Sequence, residues 1–228
     1  YARTEGLFVR VFSSETALPV HIVVDPSASM RWGRGTAKLT AALRYAAAIA
    51  ILASKSSCRV RVTLDQTHYA ELNDEKQGAA FLERLDGIAE LSLETFPSTL
   101  VQARERGHYT IVLSDGYDTE ELFKQFKLLA TRNALAFVHV MHRDELSPSM
   151  RGEYRLVGSE DASSVRLKID QQALQNYGRR LERFLGQWRQ RCYGLGVRYA
   201  LIDVLEELEG VVSQALPKAH VVASRSSA

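Results

Sequence analysis

A short polar segment directly after an apolar run carries the first residues that could do chemistry. In the sequence DPSASM, residues 25–30, Asp25, Ser27 and Ser29 alternate, so one loop can turn a carboxylate and two hydroxyls toward a single point. Such oxygen ligands suit Mg²⁺, a hard cation that takes an octahedron of oxygens at about 2.0 to 2.1 Å and tends to keep some of its waters. The alternative interpretation is a serine-rich turn in which Asp25 caps the loop.

A second carboxylate, Asp115, follows another apolar run in the sequence IVLSDG, residues 111–116. In a parallel sheet this side chain could lie beside Asp25, and two neighbouring carboxylates repel each other unless a cation is bound between them. A third polar loop, residues 97–100, offers further hydroxyls at the start of a predicted helix. There Ser98 is equally well interpreted as a metal ligand or as a simple N-cap.

These loops need strands that end at one edge of a sheet, and the apolar patterning predicts such strands. Strands are predicted over residues 7–12, 20–24, 59–64, 109–113, 134–141 and 197–202, and helices over 36–54, 75–85, 98–106, 119–131, 171–192 and 204–216. This alternation predicts an α/β fold, a doubly wound, mostly parallel Rossmann-like sheet with helices on both faces. Ligands in such sheets bind at the carboxyl ends of strands, near the switch in strand order.

The domain organisation is predicted to be simple. Residues 1–216 form one domain, with an irregular insert over 143–169 that contains a small hairpin, 154–157 with 165–169. The small, polar tail over 217–228 is predicted to be loose. Because the chain begins with Tyr1 and not with Met, we expect it to be part of a longer protein, so any membrane segment would lie outside it.

The composition narrows the class of protein. With 46% apolar and 25% charged residues the chain is typical of a soluble globular protein. Its 29 basic and 27 acidic residues give a net charge of +2, which provides no field strong enough to indicate nucleic-acid binding across the whole surface. Cys58 and Cys192 fit neither a disulfide framework nor a CxxC metal pattern, and this favours a cytoplasmic location.

These motifs together resemble the metal-ion-dependent adhesion site of von Willebrand factor A domains. The resemblance rests on DPSASM after a strand, a Ser/Thr loop before a short helix, and VLSDG after a later strand. Nearly the whole chain is also similar to a bacterial family of such domains known as domain of unknown function fifty-eight. That similarity is carried by residues 2–10, Glu15, residues 21–30 and 152–157, the arginine-rich helix around Tyr177, and the strand that begins at Gly196.

The resemblance implies a set of metal ligands. It implies that Ser27 and Ser29 bind Mg²⁺ or Mn²⁺ directly, and that Asp25 and Asp115 act mainly through ordered waters. A hydroxyl from the middle loop would complete the set.

The middle loop departs from the family's usual pattern. The family usually has Thr-Asp-Leu there with an Ala three residues after the Leu, and Ser98-Thr99-Leu100 with Ala103 matches that spacing. The resemblance therefore implies that Ser98 replaces the usual Thr, with Thr99 as the alternative ligand.

The resemblance also implies a kind of partner. In von Willebrand A domains the last coordination position of the metal is taken by a carboxylate of a protein partner. Proteins similar to this one are commonly encoded beside MoxR-type AAA+ ATPases, which implies a role as an adaptor or co-chaperone.

Two other functions use the same residues differently. A Mg²⁺-dependent phosphohydrolase could use the same cleft. The sequence contains no GxxxxGK[ST], GxGxxG, GxSxG or HExxH motif, however, and we expect that the protein is not an enzyme. The remaining possibility is a scaffold whose metal site is vestigial.

Overall fold

A six-stranded sheet with helices against both faces forms the centre of the structure. The structure is a computed structural model, and it describes residues 7–8, 18–32, 37–56, 58–64, 69–72, 74–83, 96, 100, 106–157 and 164–224. The strands are β1 (Leu7–Phe8), β2 (Val20–Val24), β3 (Val60–Thr63), β4 (Tyr69–Leu72), β5 (Tyr109–Ser114), β6 (Ala134–Met141), β7 (Gly152–Val157), β8 (Ser164–Ile169), β9 (Arg198–Asp203) and β10 (Ala223–Ser224). The helices are α1 (Lys38–Lys55), α2 (Glu75–Glu83), α3 (Thr119–Ala130), α4 (Arg143–Leu146) and α5 (Gln171–Gly194). A 3-10 helix, Ala28–Arg31, follows β2, and a continuous helical run near the end consists of Leu208–Gly210, a π-helical turn Val211–Ala215, and Leu216–Lys218.

The order of the strands places β2 and β5 side by side at the centre of the sheet. The order is β4-β3-β2-β5-β6-β9, with β4 antiparallel and the other neighbouring pairs parallel. Val20 of β2 lies opposite Val60 of β3 on one side and Tyr109 of β5 on the other. The chain runs outward from β2 to β4 and then returns to β5, so the strand order switches between β2 and β5. The mostly parallel α/β sheet predicted from the sequence is confirmed.

The two faces of the sheet are covered by different helices. Ile22 and Val24 of β2 are buried in the cluster that includes most of the alanine-rich helix α1. Val23, between them, belongs to a second cluster with Phe126 of α3 and Trp188 of α5. Because β2 is buried on both faces, its sequence is an almost unbroken apolar run and its carboxyl end is held firmly in place.

The C-terminal part differs from the prediction of a loose tail. Val221 and Val222 are buried in the cluster on the α1 side, and Tyr109 donates its hydroxyl hydrogen to the Val221 carbonyl oxygen at 2.8 Å. Ala223–Ser224 then pairs antiparallel with Leu7–Phe8. The predicted looseness is therefore wrong for residues up to 224, because two adjacent valines anchor a segment that is otherwise small and polar. Residues 225–228 lie outside the described part.

Some helices and strands differ in their bounds from those predicted. The predicted hairpin is present as the antiparallel pair β7 and β8, and the short helix α4 precedes it in the insert. The edge strand β4 was not predicted, and the helix predicted over 204–216 begins only at Leu208, because Asp203 Oδ1 accepts the Leu205 N–H at 3.0 Å and forms a turn. Residues 9–12 of the first predicted strand and most of the predicted helix 98–106 lie outside the described residues.

Candidate functional site

The loop after β2 gathers the first three predicted site residues. The Asp25 N–H donates to the Leu113 carbonyl oxygen at 2.9 Å, which fixes this loop to β5. The Ser27 N–H donates to Asp25 Oδ1 at 2.9 Å, and the Ser27 and Ser29 hydroxyl oxygens are 3.1 Å apart. The carboxylate and the two hydroxyls therefore meet in one small volume, as the alternation of residue types predicts.

The loop after β5 brings the second carboxylate to the same edge of the sheet. Ser114, the last residue of β5, donates its hydroxyl hydrogen to Asp25 Oδ2 at 2.5 Å and accepts the Gly116 N–H at 3.0 Å. Asp115 follows directly, and its Oδ1 accepts the Tyr117 N–H at 3.3 Å. Both aspartates are buried. The switch point between β2 and β5 therefore carries two buried carboxylates on adjacent loops, and Ser114 joins those loops.

The electrostatics around Asp25 disfavour its negative charge. Burial and the nearby charge of Asp115 raise the pKa of the Asp25 carboxyl from 3.8 to about 7. Hydrogen bonds from Ser114 and Ser27 act in the opposite direction and are the weaker influence. The carboxylate of Asp25 is thus short of positive charge, which is the environment that a bound cation would relieve.

A lysine that the sequence patterns did not single out lies in the same site. Lys38, the first residue of α1, is completely buried, and its ammonium nitrogen lies 2.9 Å from Asp115 Oδ2 and 2.6 Å from Glu145 Oε1. Glu145 belongs to α4, after β6, and its Oε1 also accepts the Tyr117 hydroxyl at 3.2 Å. One signal could have found Lys38, since it is a charged residue at the start of a helix that is otherwise apolar almost all round.

Buried and half-buried aromatic side chains support the Asp115 loop. His139 Nε2 lies 2.7 Å from the Asp115 carbonyl oxygen and its Nδ1 lies 2.8 Å from the Tyr199 hydroxyl. Burial lowers the pKa of His139 to about 4, so the ring is neutral, and because a carbonyl only accepts, the hydrogen is on Nε2. Trp188 Nε1 donates to the Gly116 carbonyl oxygen at 3.1 Å. His21 is likewise a strand residue with a hydrogen-bond partner, since its Nε2 lies 2.8 Å from Thr63 Oγ1.

Exposed aromatic side chains surround the Glu145 side of the site. Trp32, Tyr117 and Tyr177 are 41%, 47% and 37% exposed. Trp32 packs edge to face on His142 with ring centroids 5.3 Å apart, and the Tyr177 hydroxyl donates to the Glu145 carbonyl oxygen at 2.7 Å. We call these three residues the aromatic rim.

The third predicted loop is described only at its flanking residues. Ser98 and Thr99 lie outside the described residues. On either side of them, Phe96 and Leu100 are buried in the same cluster as Val23 of β2 and Val112 of β5. Within the described residues, no group of three or more His, Cys, Asp or Glu side chains is placed to hold a metal ion, so a cation here would depend on serine hydroxyls as well as on the two aspartates.

The fold and the site define an α/β protein with a mostly parallel sheet and a polar, acidic cluster at the switch in strand order. The chain belongs to the family described as protein of unknown function DUF58, which matches residues 1–183. No functionally curated protein matches the chain.

Two solved structures are similar to this chain in fold. One is the conserved hypothetical protein BatB from Bacteroides thetaiotaomicron, with 14% identity and a TM-score of 0.50, and the match covers 89% of this chain and 98% of that one. The other is described as an aerotolerance-related membrane protein from Bacteroides fragilis with multiple mutations to serines, with 13% identity, a TM-score of 0.50 and the same coverage. At these identities the likeness concerns the fold alone. In the described part of this chain, no helix has the length and apolar character needed to cross a membrane.

Proposed function

We propose that this chain is a divalent-cation-dependent protein-binding module of the von Willebrand factor A type. The observation that carries the proposal is the meeting of Asp25, Ser27 and Ser29 with Ser114 and Asp115 at the carboxyl ends of two adjacent parallel strands. This is the edge of a doubly wound sheet at which ligands bind.

The residues present suit a hard cation. The groups that meet at this edge are carboxylate and hydroxyl oxygens, which Mg²⁺ and Mn²⁺ prefer over softer ligands. In this proposal Ser27 and Ser29 bind the cation directly, while Asp25 and Asp115 hold it through waters. When bound, the cation supplies an electrophilic centre for a carboxylate oxygen of a partner.

A further ligand is proposed from the middle loop. Either Ser98 or Thr99 would supply its hydroxyl, following the family resemblance. Neither residue belongs to the described part, so this ligand rests on the sequence motif alone.

The aromatic rim supports a protein as the partner. Tyrosine and tryptophan are enriched in the energetically important parts of protein interfaces, because they bury a large area and retain a polar group. Trp32, Tyr117 and Tyr177 offer such side chains next to the site. A partner that places a carboxylate on the cation would cover this rim at the same time.

The partner proposed here is a MoxR-type AAA+ ATPase or one of its client complexes, with this chain as an adaptor or co-chaperone without catalytic activity. The proposal rests on the family resemblance and not on any contact in the structure. One of the two solved structures with a similar fold is described as a membrane protein. We therefore also propose that the complete protein is tethered to a membrane.

The first test is calorimetric titration of Mg²⁺ and then Mn²⁺ into chelator-stripped protein. We expect saturable binding by the native chain and its loss in Asp25→Asn. Asp118→Asn is the matched control, because Asp118 is an exposed acid three residues beyond Asp115 whose side chain makes no capping hydrogen bond. This variant removes a nearby carboxylate outside the site and should bind metal as the native chain does.

The second test measures binding to the purified MoxR-type ATPase of the same genome, in Mg²⁺ and in chelator. Binding that requires both the metal and Asp25 supports the proposal. If the native chain binds neither Mg²⁺ nor Mn²⁺, the site is vestigial and the proposal fails. If the protein instead hydrolyses a generic phosphoester in Mg²⁺, and Asp25→Asn abolishes that activity, the chain is a phosphohydrolase.

A further inference from the structure

The proposed function leaves Lys38 without a role, although its ammonium is buried inside the acidic cluster. The nitrogen lies within hydrogen-bond distance of carboxylate oxygens from two different loops, at 2.9 Å from Asp115 and 2.6 Å from Glu145. It also lies 5.1 Å from the centre of the Tyr117 ring. The lysine therefore joins the loop after β5 to the helix after β6.

A buried ammonium is costly unless it is paired, and the same holds for a buried carboxylate. When ionised, Asp25, Asp115 and Glu145 contribute three negative charges, and Lys38 contributes one positive charge. The net charge of minus two is the charge that one divalent cation would balance. Without Lys38 the same carboxylates would leave three negative charges at this edge of the sheet.

We propose that Lys38 is a resident counter-cation of the site, which holds Asp115 and Glu145 together when no metal is bound and weakens the binding of a divalent cation. This inference rests on the proposed function for its second half only. The physical reason for that half is like-charge repulsion, since the ammonium and a bound cation would share the neighbourhood of Asp115. The first half concerns the metal-free protein and stands by itself.

The test uses Lys38→Met in the full 228-residue chain, which keeps most of the side-chain length and removes the charge. Lys124→Met is the matched control, because Lys124 is an exposed lysine in an i,i+3 ion pair on α3, away from the site. Melting temperature is measured by circular dichroism in chelator and in millimolar Mg²⁺, and Mg²⁺ affinity is measured by calorimetry.

We expect Lys38→Met to melt on the order of 10 °C below the native chain in chelator, because the buried Asp115 carboxylate and the half-buried Glu145 carboxylate lose their cation. Added Mg²⁺ should recover much of that loss, and the variant should bind Mg²⁺ at least about tenfold more tightly than the native chain. The Lys124→Met control should match the native chain in both measurements. If Lys38→Met folds only when Mg²⁺ is present, that result supports the proposal in its strongest form.

Other results would overturn the inference. One is a variant that melts like the native chain in chelator and binds Mg²⁺ no more tightly. Another is a variant that is unstable with and without Mg²⁺ and is not rescued by adding Asp115→Asn, since Lys38 would then act through packing and not through charge.

The two proposals fail in different ways. Mg²⁺ binding by Lys38→Met but not by the native chain would support the counter-cation and refute metal-dependent binding by the natural site. Mg²⁺ binding by the native chain that Asp25→Asn abolishes and Lys38→Met leaves unchanged would support the proposed function and refute the second half of the counter-cation proposal, that Lys38 weakens metal binding.

Discussion

Replacing Asp25 with Asn should change how the stability of the protein depends on pH. The folded-state pKa of Asp25 is about 7, whereas the ordinary value is 3.8, so the folded protein holds this proton more tightly than the unfolded chain does. The stabilisation is fully present below the unfolded pKa and is lost as the pH rises through 7. A difference of about three pKa units corresponds to about 4 kcal/mol of the free energy of unfolding.

Asparagine cannot ionise, so Asp25→Asn lacks that loss. Its amide oxygen can still accept the Ser27 N–H, and its amide nitrogen can donate to the Ser114 hydroxyl, so little else should change at acidic pH. Relative to the native chain, we therefore expect the variant to gain up to about 4 kcal/mol between about pH 4 and about pH 8. The gain is greatest in chelator, where nothing but the protein compensates the Asp25 charge.

The assay is urea unfolding followed by circular dichroism at both pH values, with Asp118→Asn as the control. Asp118 is exposed, so this variant controls for the loss of one carboxyl group outside the site. If Asp25→Asn and the native chain differ by the same amount at both pH values, the raised pKa and the shortage of positive charge around Asp25 are refuted. Saturating Mg²⁺ at pH 8 should stabilise the native chain by about 3 kcal/mol at a hundredfold excess over Kd, and should not stabilise Asp25→Asn.

Three further predictions concern the framework of the site. Gly116→Ala should lower the free energy of unfolding in urea by about 2 kcal/mol or more, because Gly116 has a φ of +68° and an added Cβ would lie 2.7 Å from Trp188 Nε1. Gly107→Ala is the control and should lower it by about 1 kcal/mol, because Gly107 has a φ of +79° but no atom within 4 Å of an added Cβ. Equal losses in the two variants would contradict the close contact at Gly116. Burial lowers the pKa of His21 to about 4, so between about pH 6.5 and pH 4 the unfolded chain binds more protons than the folded protein does. As the pH falls over that range, urea unfolding should show that the native chain loses about 3 kcal/mol more of its free energy of unfolding than His21→Gln does. Burial raises the pKa of the Cys192 thiol to about 12, so this thiol should react with a disulfide reagent at mildly alkaline pH only after the protein is unfolded in urea, and rapid labelling of the folded chain would refute its burial.

The central sheet could be predicted because its strands are buried on both faces. The runs that form β2, β5 and β6 are apolar along almost their whole length, and such runs give a strong signal. The edge strand β4 has no such apolar signal in its sequence. In the described part of this strand only Leu72 is clearly buried, while Glu71 faces solvent and pairs with Arg61. A strand of four residues with one face in water has too few apolar positions to show a period.

Half of the candidate site follows from the same physics. Asp25 and Asp115 each come directly after a buried parallel strand, so their arrival at one edge of the sheet depends only on β2 and β5 being neighbours. The burial of the C-terminal segment could not be predicted, for the opposite reason. Val221 and Val222 are the only large apolar side chains among small and polar ones over residues 217–228, and their burial depends on where α1 and the neighbouring strands leave space.

The charge balance of the site is a property of the folded chain that no local motif contains. Lys38 opens an apolar helix, where a charged residue would ordinarily reach solvent, and Glu145 lies in a helix of only four residues. Their pairing with Asp115 depends on the positions of three separate elements. A count from the motifs alone gives two acids and no cation, whereas the folded site contains three acids and one buried lysine. The motif alone therefore predicts the right net charge of minus two. A metal affinity calculated from that charge would nevertheless be too high, because it omits the Lys38 ammonium that a divalent cation must approach.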